Sequence, residues 1–359
     1  MFLYRYVLAK GGCMMNTMFD RREFLKASMA AGAVLLVGEG LLDRAFAQGK
    51  QRFVEVDKLN ITIITDNYYD ALRSDGAIGK RYRATVNKSI HAEHGLSCFV
   101  ETISGGQAGS FMFDYGVDAH GVIRNMEVLG ISLEKVDAMG LSHGHWDHWG
   151  ALVGILKAHQ GKIPKGIPFY VGEEAFSERF SVRPGSDPRS IGKLDRQEVE
   201  TQGSFKIVEI TTPTEVVKGG YYTGRIERFT DYEKVPASFY VMRGDKLERD
   251  QFVGEQALFF LVKGKGLVVL AGCAHPGIVN TVKHAQKITG AQKVHAVIGG
   301  FHLVASDPET VQKTVADIKA LAPDYIVPTH CTGFEAITVF QREMPKQFVL
   351  NTAGTKYVF

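Results

Sequence analysis

Short runs of apolar residues bounded by turn-forming residues recur along the chain, and they predict alternating strands and helices. A β-rich run at residues 61–65 predicts a first strand. Residues 98–103 and 110–114 flank a glycine-rich turn, which predicts a β-hairpin. Residues 138–142 predict a further strand that leads into a histidine-rich loop, and residues 149–159 predict a short helix after that loop.

The second half of the chain predicts a buried sheet followed by helices. Residues 257–262 and 267–271 are apolar at nearly every position, as expected of two hairpin strands that are covered on both faces. Predicted helices then alternate with predicted strands, in the order helix 277–288, strand 294–298, helix 308–321 and strand 325–328. This alternation, together with the strands of the first half, predicts an α/β sandwich with sheets inside and helices outside.

The central part of the chain has a different character. Residues 181–250 are rich in Gly, Pro, Arg and Ser and are only weakly periodic, which predicts hairpins and loops. We therefore expect a single catalytic domain over residues 48–359 that carries a loop and hairpin insertion at about 175–250.

The first residues of the chain predict an export signal. Arg21-Arg22 precedes a small apolar stretch at residues 27–36, and Ala45-Phe46-Ala47 provides a small-residue cleavage site. The apolar stretch has only about half of the roughly 20 residues that span a bilayer, which argues against an uncut anchor. We therefore predict a twin-arginine signal peptide over residues 1–47. It should be recognised by the Tat export machinery, leaving a periplasmic or secreted protein with no stable membrane insertion after cleavage.

Composition and charge narrow the class of protein. Hydrophobic residues make up 45% and charged residues 23% of the chain, which predicts a well-filled core. The 42 basic and 39 acidic residues give a net charge of +3 without any basic block, so nucleic-acid binding is not expected. Of the four cysteines, Cys13 precedes the predicted cleavage site, and Cys98, Cys273 and Cys331 cannot all pair within one chain. A disulfide scaffold is therefore not expected.

The most specific chemical signal is a cluster of metal-ligand side chains directly after the predicted strand at 138–142. Within six residues it contains His143, His145, Asp147 and His148, and imidazole and carboxylate groups suit Zn²⁺ and similar ions. On an extended turn, His143 and His145 point the same way and can hold one ion. The bend into the following helix brings Asp147 and His148 toward a second ion. Two ions about 3.5–4 Å apart can share a hydroxide, which is the nucleophile in many hydrolases.

Three further histidines follow apolar predicted strands. His275, His302 and His330 each lie just beyond the carboxyl end of such a strand, which is the edge where α/β proteins bind their ligands. All three are candidates to join His143, His145, Asp147 and His148 as metal ligands, and the family resemblance described next selects His275 and His330 among them. Asp147 and His302 are the candidate catalytic residues, because Asp147 orients the nucleophile and His302 comes from a separate strand that can reach the substrate.

The cluster His143-Gly144-His145-Trp146-Asp147-His148 resembles the signature of the metallo-β-lactamase superfamily. The resemblance implies that Asp114 orients the metal loop without binding metal and that His330 is the last histidine ligand. Several segments resemble the branch that includes archaeal dihydropterin-methyl–ribofuranosylaminobenzene phosphate synthases and related metal-dependent hydrolases. These segments are residues 92–97, 222–226, 255–258, 272–280, 299–303 and 330–333. The resemblance covers roughly residues 60–340 and implies an α/β fold with a four-layer αββα sandwich.

The chain departs from this family pattern at one ligand. Cys273 stands where the superfamily usually has an aspartate that bridges both metals, and His275 follows two residues later. We favour His275 as the ligand and keep Cys273 as the alternative. Diiron flavoproteins of the superfamily have a glutamate at the position of His145, and this chain shows no flavin domain. The resemblance therefore implies two zinc ions, with manganese or iron as alternatives.

The leading functional hypothesis is hydrolysis at a phosphorus or carbonyl centre by a metal-bound hydroxide. His94, Arg225 and Arg228 are the candidates for contact with a small, anionic substrate. A second hypothesis is pterin-type group transfer, in which an organic acceptor attacks and diphosphate leaves. The archaeal synthases are not normally secreted, which argues against carrying their activity over to this chain. A third hypothesis is metal binding without turnover.

Overall fold

Two mixed β-sheets lie at the centre of the computed structural model, which describes residues 52–359. The predicted signal peptide over residues 1–47 lies outside the described residues. The strands are β1 Glu55–Val56, β2 Lys58–Thr65, β3 Gly79–Arg81, β4 Ser97–Ser104, β5 Gln107–Tyr115, β6 Ala138–Gly140, β7 Pro168–Gly172, β8 Arg179–Ser181, β9 Arg189–Gly192, β10 Lys206–Ile210, β11 Thr214–Val217, β12 Gly220–Tyr222, β13 Phe239–Arg243, β14 Lys246–Arg249, β15 Ala257–Val262, β16 Gly266–Ala271, β17 Val294–Gly300, β18 Tyr325–Thr329 and β19 Thr355–Val358. The helices are α1 Ala119–Leu129, α2 Trp146–Trp149, α3 Leu152–Ala158, α4 Arg196–Gly203, α5 Ile278–Thr289, α6 Pro308–Ala320 and α7 Phe334–Glu343.

The two sheets differ in strand order. The first has seven strands in the order β11-β12-β15-β16-β17-β18, with β1 paired to β15. In it, β16, β17 and β18 run parallel, so their carboxyl ends lie at one edge. The second has eight strands in the order β10-β7-β6-β5-β4-β2-β19-β3. The C-terminal strand β19 lies inside this second sheet, antiparallel to both β2 and β3.

Alternating side chains along the strands build three apolar layers. In β16, Val268 and Leu270 pack into a core that the two sheets share, whereas Leu267 and Val269 pack against α5, α6 and α7. In β5, Phe113 likewise enters the core between the sheets, while its neighbour Met112 packs against α1 and α3. Both faces of both sheets are covered, so the predicted αββα sandwich is confirmed. This coverage explains why the central strands are apolar on both faces.

The helices begin and end at residues that suit their positions. Asp118 caps α1 by accepting hydrogen bonds from the backbone N–H groups of His120 and Gly121. Asp307 caps α6 in the same way, with Pro308 in the first turn, where a missing N–H costs nothing. These caps place the amphipathic helices so that their apolar sides lie on the sheets.

The central region needs a correction. Strands β8, β9, β13 and β14 form a separate four-stranded sheet, but residues 206–222 contribute β10, β11 and β12 to the two main sheets. This region also contains the helix α4, where only hairpins and loops were predicted. Its strands have three to five residues, too few to show a clear period. Their pairing depends on partners distant in sequence, such as β7 beside β10.

Two other features bear on the site. No helix within residues 52–359 is both long and apolar enough to cross a membrane. Cys98, Cys273 and Cys331 are all free and buried. Of these three, Cys98 belongs to the apolar core between the sheets, whereas the other two lie at the strand ends described next.

Candidate metal centre

Three loops at the carboxyl ends of strands bring the predicted ligands together. The loop after β6 leads into α2 and carries His143, His145, Asp147 and His148. The loop after β16 carries Cys273 and His275, and the short 3₁₀ turn His330–Thr332 follows β18. All six predicted ligands are buried and lie in two adjacent groups.

The first group consists of His143, His145 and His275, whose candidate ligand atoms lie within 4.8 Å of one another. The Nε2 atom of each ring is buried, and none of the three has a hydrogen-bond partner among residues 52–359. Buried polar atoms without partners are costly unless something satisfies them. Three such nitrogens in one place fit a bound metal ion, because imidazole nitrogen is a good zinc ligand.

Hydrogen bonds at the opposite ring nitrogen orient two of these imidazoles. The His275 Nδ1 donates to Glu255 Oε2 at 2.8 Å, and the His143 Nδ1 lies 2.9 Å from Ser142 Oγ. Ser142 donates its own hydroxyl proton to Asp114 Oδ2 at 2.7 Å, so its oxygen is free to accept from His143. With Nδ1 protonated, the lone pair of each ring lies on Nε2, on the side of the group.

The charge state of the first group also suits metal binding. Burial, followed by the charges of neighbouring histidines, holds the pKa of His143 and His275 well below the ordinary value for histidine. Burial has the same effect on the pKa of His145. Neutral imidazoles are the form that binds a metal ion.

The second group consists of Asp147, His148, Cys273 and His330, again within 4.8 Å of one another. The Nε2 of His148 lies 3.1 Å from Cys273 Sγ and 3.2 Å from His330 Nε2, which itself lies 3.2 Å from Asp147 Oδ2. Since His148 Nδ1 bonds to Asp114 Oδ2 at 2.7 Å, its Nε2 carries a lone pair. A carboxylate, a sulfur and two imidazoles that converge in this way fit a second cation.

Cys273 and His275 therefore do not compete for one position. Ala274 between them has a φ of 55°, in the left-handed region. The thiol of Cys273 lies in the second group and the imidazole of His275 in the first. The sequence analysis treated Cys273 as an alternative to His275, whereas the fold gives each group one of the two.

Buried carboxylates hold the loops in place. Asp114 accepts hydrogen bonds from Ser142 N, Ser142 Oγ and His148 Nδ1, which agrees with the orienting role implied by the family resemblance. Asp66, just after β2, accepts from His330 N at 3.0 Å and also from the Thr329 hydroxyl. The roles of Asp66 and Glu255 were not predicted from the sequence. For Asp66, the available signal was an aspartate directly after an apolar strand.

The loop that carries the first two histidines also needs a glycine. A Cβ atom on Gly144 would lie 2.1 Å from Arg179 Nη1, so a side chain at position 144 would collide with the Arg179 guanidinium. Arg179 is buried and donates its Nε to Asp250 Oδ2 at 3.0 Å. The Arg179 side chain of the central four-stranded sheet therefore lies against this loop at Gly144.

Two phenylalanines from the central region form a wall beside the first group. The Phe252 ring stacks on His275, with centroids 3.8 Å apart and an interplanar angle of 9°. The Phe239 ring lies 4.9 Å from that of His145 and 5.6 Å from that of His302. These apolar rings lower the local polarity and limit the access of water to the first group.

The predicted catalytic residue His302 lies at the side of the centre. Its ring centroid is 4.2 Å from that of His275, and the residue is half-buried. It belongs to neither of the two groups above but forms a third group with Cys273 and Cys331. Its backbone φ of 45° is in the left-handed region, which indicates that the surrounding loops hold it in a strained conformation.

The three predicted substrate contacts have different positions. His94 lies at the mouth of the centre, with its Nε2 3.6 Å from Asp147 Oδ2 and its ring stacked 5.2 Å from that of His330. Its side chain is 59% exposed, so it can meet a substrate. Arg225 instead forms an exposed ion pair with Glu173, and Arg228 donates to the backbone oxygens of Pro276 and Gln251. Neither arginine has a recorded polar contact with the two ligand groups within the described part of the chain.

The four layers and the two ligand groups at the strand ends define an α/β protein whose strand-end side chains could hold metal ions. The chain belongs to the metallo-β-lactamase superfamily, because the model of that family matches residues 97–276. The predicted family is thereby confirmed.

Relatives agree with this assignment. The chain is 34% identical to the 7,8-dihydropterin-6-methyl-4-(β-D-ribofuranosyl)-aminobenzene-5′-phosphate synthase of Methanocaldococcus jannaschii, over 76% of this chain and 92% of the synthase. It is 26% identical to an uncharacterised protein of the same archaeon, over 71% of this chain and 90% of that protein. Among solved structures, Tm1679, described as a metal-dependent hydrolase of the β-lactamase superfamily, aligns with a TM-score of 0.64 and 28% identity. That alignment covers 83% of this chain and 98% of Tm1679.

Proposed function

We propose that this chain is a binuclear metal-dependent hydrolase that acts on a phosphorus or carbonyl centre of a small, anionic substrate. The observation that carries the proposal is the convergence of seven buried ligand side chains into two adjacent groups, four of whose ring nitrogens have no partner among residues 52–359. One tetrahedral ion uses four ligands, so seven are more than a single ion needs.

Each of the two groups would hold one ion. His143, His145 and His275 would hold the first ion, and Asp147, His148, Cys273 and His330 the second. When bound, such ions supply an activated water and polarise the oxygen that is attacked. Zinc suits this donor set of imidazoles, one carboxylate and one thiol, while manganese and iron are the alternatives.

Other side chains would position the substrate and exclude water. His94 is exposed at the mouth beside Asp147, so its imidazole can donate a hydrogen bond to an anionic group of the substrate. His302 approaches from the opposite loop, 4.2 Å from the His275 ring, where it can hold a proton beside the reacting group. Phe239 and Phe252 keep the first group dry, which strengthens electrostatic interactions there.

Metal analysis and activity together test this proposal. We expect about two zinc ions per chain after dialysis against metal-free buffer, and turnover that is lost on chelation and restored by zinc. Suitable substrates to screen are phosphodiesters, lactones, β-lactams and pterin diphosphates. Turnover that survives complete removal of metal would refute the proposal. Stoichiometric metal without turnover on any of these substrates would favour metal binding alone.

Group transfer is the second candidate function, and the 34% identity to a synthase favours it. Both reactions can use the same ions, and they differ in what attacks the substrate. Product analysis with and without an organic acceptor separates them. A product that contains the acceptor would support transfer, whereas the same hydrolysis products in both cases would support hydrolysis.

We also propose that the chain is exported through the twin-arginine pathway to the periplasm or beyond. The support is the pattern of Arg21-Arg22, an apolar stretch and a small-residue cleavage site. That pathway carries folded proteins, so the metal centre can be assembled before export.

A further inference from the structure

A third group of ligand-type side chains lies beside the two described above. The candidate ligand atoms of Cys273, His302 and Cys331 lie within 4.8 Å of one another. They come from three different loops, which follow β16, β17 and β18. Cys273 belongs to this group and to the second group as well.

The two thiols of this group are not ordinary core residues. Cys98 is part of the apolar core between the sheets, but Cys273 and Cys331 belong to none of the three apolar clusters. Both are nonetheless buried, with exposures of 1% and 5%. Two buried thiols beside an imidazole, outside any apolar cluster, are more typical of a metal site than of core packing.

Backbone contacts hold the three loops against one another. Gly300 N donates to Gly272 O at 3.0 Å, and Val304 N donates to Cys331 O at 3.2 Å. A Cβ atom on Gly300 would lie 2.6 Å from Cys331 Sγ, so the glycine leaves the space that the thiol occupies. The group is therefore preorganised by the fold rather than formed by mobile side chains.

One ring nitrogen of the group is available to bind a metal ion. His302 Nδ1 is buried and has no hydrogen-bond partner within residues 52–359. The Cys331 thiol makes a weak contact with Cys273 O at 3.7 Å. An imidazole and two sulfurs are a soft donor set, which selects thiophilic ions over magnesium or calcium.

We propose that Cys273, His302 and Cys331 form a third metal site for a thiophilic divalent ion, with Cys273 shared as a bridging thiolate with the second site. In its sharing of Cys273 the proposal rests on the proposed function. Because thiols ligate as thiolates, the protons of Cys273 and Cys331 leave to solvent as the second and third ions bind. One of its three protein ligands is half-buried and another is shared with the second site, so its ion is held more weakly than the other two and exchanges with solvent.

Titration with Cd²⁺ under reducing conditions tests the third site. All forms of the purified chain carry Cys13→Ser, so that only the thiols at 98, 273 and 331 report. Bound cadmium is counted by elemental analysis, and the near-ultraviolet charge-transfer absorbance reports cadmium–sulfur bonds. We expect about three equivalents in the parent, and about two in both Cys331→Ser and His302→Ala. The absorbance of Cys331→Ser should fall to about one third, because three sulfur–cadmium bonds become one.

Matched variants separate this proposal from the proposed function. Cys98→Ala removes a buried thiol outside the group and should keep about three equivalents. His143→Ala should weaken the first ion and leave the third. Only about two equivalents in the parent, unchanged in Cys331→Ser and His302→Ala, would overturn the third site and leave the binuclear centre intact. No stoichiometric cadmium in the parent would overturn both. His302→Ala keeps the test decisive if Cys331→Ser does not fold, because His302 is half-buried.

Discussion

Asp114→Asn is a sensitive test of how buried hydrogen bonds orient the side chains of the second ligand group. The Asp114 carboxylate is fully buried and accepts three hydrogen bonds, each 2.7 Å long. One comes from the His148 ring, and this bond places the lone pair of that ring on the metal side. Asparagine has almost the same shape, but it would direct an NH₂ group toward His148 Nδ1. That change favours the other tautomer of His148, whose Nε2–H cannot bind a metal ion.

Because Oδ2 accepts from both Ser142 Oγ and His148 Nδ1, the NH₂ group disturbs two bonds, and the loss of the His148 bond alone sets the lower limit of the effect. A hydrogen bond to a charged group contributes about 1.5–3 kcal/mol. Since each 1.4 kcal/mol corresponds to about a tenfold change in affinity, the second ion should bind about 10–100-fold more weakly. The same range is typical when the partner of a ligating histidine is removed. The first ion should be affected less, because His275 keeps its bond to Glu255.

A cobalt titration with a competing chelator measures this effect at the two ions separately. In a Cys331→Ser background, which removes the proposed third site, the second group contains the Cys273 thiol and the first contains only imidazoles, so a sulfur-to-cobalt charge-transfer band reports the second ion. Asp118→Asn is the matched control, because Asp118 caps α1 far from the ligands and asparagine is also a good cap. Equal cobalt affinity in Asp114→Asn and Asp118→Asn, with the band intact, would refute the orienting role of Asp114.

Two further predictions rest on the structure, and a third rests on the sequence around Arg21 and Arg22. His275→Ala should weaken binding of the first ion, and Cys273→Ser binding of the second, each by at least about tenfold in chelator competition, since each substitution leaves an open coordination position. The reverse pattern would contradict the assignment of His275 to the first group and Cys273 to the second. Phe252→Ala removes a buried ring stacked on His275 and should lower the free energy of unfolding by about 3–5 kcal/mol in urea; a loss below about 1 kcal/mol would mean that the ring packs loosely. Arg21→Lys combined with Arg22→Lys should abolish export in cell fractionation, and unchanged arrival in the periplasm would argue against the twin-arginine pathway.

Much of the fold could be predicted because it depends on local patterns. The apolar runs of β15 and β16 and the helical periods of α5 and α6 predicted those elements to within a few residues. The hairpin β11–β12 agrees with the hairpins predicted for the central region. The pairing of β10 and β12 with the main sheets and the helix α4 were not predicted, because short strands take their structure from partners elsewhere in the chain. Strand β19 was missed for the same reason: it is stabilised by pairing with β2 and β3, nearly 300 residues earlier.

The sequence by itself determined which side chains could bind metal and where along the chain they occur. His143, His145, Asp147 and His148 stand together in one motif. His275 and His330 each follow a strand of one sheet, and these two residues meet at its edge because β16 to β18 run parallel.

Only the tertiary structure decided how these ligands divide. The left-handed turn at Ala274 separates Cys273 from His275 and places them in different groups. The hydrogen bonds of Asp66, Asp114 and Glu255 to the metal loops also join segments that are distant in sequence. The physical reason is that coordination depends on distances of a few ångströms and on the direction of each lone pair. Local sequence sets neither quantity, because both depend on how the loops of two packed sheets meet.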